Sequence, residues 1–104
     1  MNATHLPFEI QQLIYRLCQT ANLSLSSKNL KGYQLSKMQM AYRIYCEEQE
    51  LKNRKKGKAI SDIMWKDVDG VIAFATLYAD LMGNLFELDV WKLNFTKPKC
   101  FPEG

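Results

Sequence analysis

The chain has 104 residues, 47% hydrophobic and 24% charged, the proportions of one compact domain and not of a disordered segment. Its 14 Lys and Arg against 11 Asp and Glu leave a net charge of +3, too small an excess to drive nucleic-acid binding by itself. With 5 Gly and 3 Pro there are few breakers for a turn-rich sandwich or barrel, so the composition points to helices, and a helical domain this small is expected to lean on partner subunits.

Cys18, Cys46 and Cys100 form no CxxC and no Cys/His pair at zinc spacing, which reads as reduced intracellular thiols. The N-terminal residues lack a basic stretch followed by an apolar one, and no run nears the ~18 apolar residues of a bilayer span. A soluble, cytoplasmic protein is expected.

In chain order, Thr4 caps a first helix, Pro7 sits in its first turn, and Phe8, Leu13, Ile14, Leu17, Cys18 and Ala21 fall at helical spacing. The Asn- and Ser-rich stretch 22–29 ends it. A second helix is predicted from Asn29 to Leu51, with Leu35, Met38, Ala41, Tyr42 and Tyr45 on one side and Tyr33, Met40, Ile44 and Leu51 on another. The basic run Lys52–Lys58 stops it, with Gly57 allowing a helical-hairpin turn. A third helix, Ser61 to Met82, carries Ile63, Met64, Val68, Val71, Phe74, Tyr78 and Leu81 on one broad face. Gly83 ends it, and a short fourth helix spans Leu85 to Leu93. The expected fold is an all-α, compact bundle of about four helices, with residues 1–97 as one helical domain and 98–104 as a flexible tail.

These features, with Lys28-Asn29-Leu30 before the long helix, the stretch Val68-Asp69-Gly70-Val71-Ile72-Ala73-Phe74, its continuation Leu77 to Gly83, and Lys92-Leu93-Asn94 after the turn, resemble the MazG-like all-α nucleoside triphosphate pyrophosphohydrolases. The resemblance covers residues 8 to 97. It implies a homodimer or homotetramer whose helices enclose a nucleotide pocket, with Mg²⁺ held by Glu-Glu-x-x-Glu on helix two and Glu-x-x-Asp on helix three, hard oxygen ligands suited to that ion. The sequence departs from this pattern: Ser36, Lys37 and Met40 stand at the three Glu positions and Lys66 at the fourth, leaving Asp69 alone.

A MazG-like subunit with a degenerate metal site is therefore expected, binding a nucleotide or phosphate, or else a protein partner, without efficient hydrolysis. Lys37 and Lys66 beside Asp69 would hold phosphate as point charges, Trp65 would cover a base, and the resemblance adds Lys92 and Asn94. The alternative is an active Mg²⁺-dependent pyrophosphohydrolase using a displaced acidic cluster of Glu47, Glu48, Glu50 and Asp69. A second alternative is a small inhibitor or regulator that keeps the bundle as a scaffold. The blander readings are a Lys66–Asp69 ion pair, a solvated acidic patch and a solvated basic turn. His5 is the one histidine, so Cys–His and Ser–His–Asp schemes find little support, and the dispersed glycines form no phosphate loop.

Overall fold

A computed structural model describes residues 4–23, 30–36, 40–45 and 54–102. The order of elements is β1 (Thr4–His5), α1 (Phe8–Thr20), β2 (Lys31–Gln34), β3 (Met40–Tyr45), β4 (Lys56–Lys66), β5 (Ile72–Asp80) and β6 (Leu85–Lys92). The strands form one antiparallel sheet in the order β1-β2-β3-β6-β5-β4. A meander of β4, β5 and β6 thus lies beside β3, the arrangement of a Greek key.

This overturns the four-helix bundle and, with it, the MazG-like assignment and the function drawn from it. Among the described residues, only the first predicted helix is found. It begins after Pro7 instead of at Thr4, which lies in β1, and Asn22 at φ 59° follows its end. Ile10, Leu13, Ile14, Leu17 and Cys18 make its buried stripe, the i, i+3, i+4, i+7, i+8 spacing of a helix with one covered face.

The predicted second helix spans β2 and β3, the third spans the end of β4, a turn and β5, and the fourth coincides with β6. Alternation explains this. Along β5, Ala73, Ala75, Leu77 and Ala79 are buried while Ile72, Phe74, Thr76 and Tyr78 are half-buried, so both faces are apolar and the two-residue period is masked. The few breakers suffice because the two hairpins of the meander need only tight turns, one holding Gly70 at φ 84° and one holding Gly83 at φ 91°, conformations that suit glycine.

Helix α1 covers one face of the sheet. Beneath it lie Tyr42 and Ile44 of β3, Ala75 and Leu77 of β5, and Leu88 and Val90 of β6, with Ile63 and Trp65 of β4 at the margin. The small Ala73 and Ala75 side chains, fully buried, leave room for the helix, and Ser61 Oγ donates 2.7 Å to the Leu17 carbonyl to fix it on β4. Residues 98–102, read from the sequence as a tail, lie against the end of this face. Trp65 Nε1 donates 2.9 Å to the Cys100 carbonyl, and its ring stacks with Phe101 at 6.3 Å. The opposite face of the sheet carries no helix among the described residues.

Candidate functional site on the open face

The antiparallel register arranges the open face in rows. Met64, Phe74 and Trp91 pair across β4, β5 and β6. The next row holds Asp62, Thr76, Asp89 and Ala41, and beyond it Tyr78, Glu87 and Arg43 line up. An aromatic row therefore borders an acidic one, which borders a row of mixed charge.

Phe74 and Trp91 stack with centroids 4.3 Å apart and planes 17° apart. Phe74 thus occupies one face of the indole, and Trp91 stands 42% exposed as the wall of a cleft of about 460 Å³. Glu87 and Asp89 lie in its floor, Met40 and Ala41 on the β3 side, and Phe95 and Lys97 at the rim. That volume falls in the ~300–1,000 Å³ span of small-ligand clefts.

The floor is held by charge. Lys56 Nζ reaches Glu87 at 3.1 Å and Asp89 at 3.6 Å, and Arg43 reaches Glu87 at 3.6 Å. Lys56 also lies 3.8 Å above the Tyr78 ring, and Arg43 lies 4.1 Å above Phe86. The two carboxyls sit at i and i+2 of one strand, placed so that Asp89, when protonated, can bond Glu87. Burial, then the bond to Glu87 and its charge, push Asp89 up to about 6. For Glu87 the bonds from Asp89 and Lys56 outweigh burial, which acts in the other direction, and hold it below its usual value. Asp89 Oδ1 is buried with no donor among the described residues.

The residues singled out from the sequence gather elsewhere. Asp69 and Lys92 meet in the β4–β5 turn, but as a structural tie. Lys92 Nζ lies 2.8 Å from Asp67 and 2.6 Å from Asp69, with its side chain 1% exposed. Asp67 also accepts the N–H groups of Val68, Lys99 and Cys100. Burial would raise the Asp67 carboxyl, but Lys92 and these amides hold it far below the usual carboxylate range. The Lys92 bond, followed by the Val71 N–H, lowers Asp69, and the bonds to Asp67 and Asp69 raise Lys92. The Lys66–Asp69 pair gives way to Lys92–Asp69, and Lys66 is exposed. Trp65 is occupied by the 100–101 segment, and Asn94 Oδ1 accepts from Thr96.

Lys37, Glu47, Glu48 and Glu50 lie outside the described residues. The positions matched to the MazG metal motifs do not face one another from two helices. Ser36 follows β2, Met40 opens β3, Lys66 ends β4 and Asp69 sits in a turn. Among the described residues no group of three or more His, Cys, Asp or Glu is placed to hold a metal ion. The basic stretch is no solvated helix end over its described part: Arg54 is buried against Asp80 at 2.9 Å, donates to the carbonyls of Ile44 and Leu85, and Gly57 lies inside β4.

Sequence reasoning does not single out Arg43, Glu87 or Asp89, and takes Lys56 only as part of the basic run Lys52–Lys58. A signal existed: Phe86-Glu87-Leu88-Asp89-Val90 alternates apolar and acidic residues, the mark of a strand with one charged face.

Fold and site together define an antiparallel-sheet domain with, among the described residues, one helix on one face and a charged cleft on the other. The chain matches the family described as "Domain of unknown function (DUF6984)" over residues 7–102 and belongs to it. No curated protein and no solved structure matches the chain. Among the described residues, no helix is long and apolar enough to cross a membrane.

Proposed function

We propose that this domain binds a small organic ligand in the open-face cleft between Trp91 and the Glu87–Asp89 pair. The observation that carries the reading is the cleft itself, about 460 Å³, with a fixed aromatic wall beside a carboxyl pair that Lys56 bridges. Such convergence of an apolar wall with a few polar groups and a perturbed titration marks ligand sites more often than structural surfaces. The rest of the molecule supports it by rigidity, since helix and core lie on the other face and the strands that carry the site are the paired centre of the sheet.

A diverse fragment library screened by amide and indole N–H chemical shifts tests the reading. Hits are expected to move residues 87–91 and the Trp91 indole together. Hits that fall only elsewhere, or none at all, refute it.

A second reading, proton transfer by Asp89, is favoured by its place in the cleft lining beside Lys56, where burial and Glu87 push its carboxyl up to about 6, suited to a general acid or base. Carboxyls placed to bond one another when one is protonated are closer than the ~5 Å that a glycosidase acid and nucleophile need. The pair would therefore act as one proton-holding unit and not as two separate catalysts.

A further inference from the structure

We infer that the ligand of this cleft is a neutral, hydroxyl-rich ring of the carbohydrate class; this rests on the cleft reading and adds the chemistry of the occupant. Charge balance is the first argument. The acids of the floor are already faced by Arg43 and Lys56 within 3.6 Å, with Lys97 at the rim, so no net negative charge is left to attract a cation. An anion would have to displace Glu87 from Lys56 and Arg43, leaving a largely buried carboxylate without its cations, a large penalty. An uncharged occupant disturbs neither pairing.

The shape of the apolar wall is the second argument. Phe74 covers one face of Trp91, so the indole offers a single platform, fixed in orientation and backed from behind. A saturated ring can lay the C–H groups of one side on such a platform and direct its hydroxyls to the opposite side. A planar heterocycle gains most when clamped between two rings, and the second aromatic of the cleft, Phe95, is 88% exposed beyond the end of β6.

The third is the polar complement. Asp89 and Glu87 accept, Lys97 donates, and the Thr96 hydroxyl, whose proton goes to Asn94 Oδ1, is left to accept at the same cleft. Mixed donors and acceptors over a short span match vicinal hydroxyls, each of which both donates and accepts.

The test is a titration of the full chain with neutral mono- and disaccharides at ~10 mM, where a ~1 mM binder is about nine-tenths bound, read by the Trp91 indole N–H and the amides of 87–91. Adenosine serves as the planar comparison. At least one sugar is expected to move these signals. Trp91→Ala should weaken it about tenfold or more, and the nearly isosteric Asp89→Asn, which preserves packing, should weaken it by a similar factor. If adenosine or library fragments move the same signals and no sugar does, the carbohydrate inference falls while the cleft reading stands. If neither sugars nor fragments move them, both fall. Sugar binding that survives Trp91→Ala and Asp89→Asn unchanged overturns the inference as well.

Discussion

Gly32→Ala separates the sheet from a helical reading of the same residues by the sign of its effect. In a helix from Asn29 to Leu51, an Ala at this position would stabilise the chain by roughly 1 kcal/mol relative to Gly. In the sheet, Gly32 pairs with Ile44 across β2 and β3 and with Thr4 across β1 and β2. A Cβ built on it would overlap the carbonyl oxygen of Arg43 and lie 2.7 Å from Leu6 Cδ2. Leu6 can rotate, but the Arg43 oxygen is backbone and moves only if β2 parts from β3. Overpacking of this kind costs typically about 1–3 kcal/mol, and the obstacle being main chain argues for the upper half of that span. For a domain near this size, each kcal/mol shifts Tm by roughly 4–8 °C, so a fall of about 10 °C or more is expected. Urea unfolding followed by far-ultraviolet circular dichroism is the assay, with Tm as a second readout. An Ala variant as stable as the parent, or more so, refutes the close pairing of β2 with β3.

Three further outcomes follow from the same structure. Lys92→Met removes the cation between Asp67 and Asp69 and should lower Tm by roughly 10 °C or more, while Lys66→Met, at an exposed position, should leave it nearly unchanged; equal effects would refute the tie. Asp89→Asn should raise Tm at pH 7 relative to the parent and lose that advantage progressively as pH falls from about 6 towards 3.8. Asn can donate to Glu87 as protonated Asp89 does, and a gain independent of pH would count against the raised Asp89 carboxyl. Thiol labelling of a Cys46→Ser variant should modify Cys100 well before Cys18, because Cys18 is 2% exposed and burial raises its pKa; equal rates would contradict the seating of α1.

The first helix was legible because its stripe recurs at helical spacing and its other face is polar. The strands were not, for reasons visible in particular residues. In β5 the outward Phe74 and Tyr78 are as apolar as the inward Leu77, so the distinction between periods two and 3.6 is lost. The turn between β4 and β5 carried the local sign: Asp69-Gly70 between apolar runs is a hairpin signal, yet the helical reading ran a helix through it. Gly83-Asn84 marks the next hairpin, but a glycine there equally suits a helix stop. Asp69 and Lys92 were singled out and do meet, but their third member, Asp67, has no sequence spacing to announce it. Only the sheet brings Lys92 beside a turn 25 residues away. The acids of the cleft were hidden for a related reason. Their meaning depends on Arg43 and Lys56, which arrive from a neighbouring strand and from an edge strand.

The ionisable groups of this protein divide by position, and the division links its stability to its site. Asp67 directly follows β4 and Asp80 ends β5, and each accepts from the turn that follows, Val68 for one and Met82 and Asn84 for the other, and pairs with a cation from elsewhere in the chain, Lys92 and Arg54 respectively. At Asp80, burial is outweighed by Arg54 and by the Asn84 and Met82 amides, so its pKa is lowered as that of Asp67 is. Groups lowered on folding stabilise above their unfolded value, near 3.8, and that contribution is lost as pH falls through the folded value. Asp89 has the opposite sign: its contribution is fully present below 3.8 and is lost as pH rises to about 6. For these groups stability peaks near pH 4 and settles to a lower plateau above 6. The hairpin ends therefore lock the strands by charges that folding favours, while the cleft holds, at neutral pH, a charge that folding disfavours. A locally costly ionisation kept inside a frame fixed by its own ion pairs is the pattern expected where binding, and not folding, selects the residue.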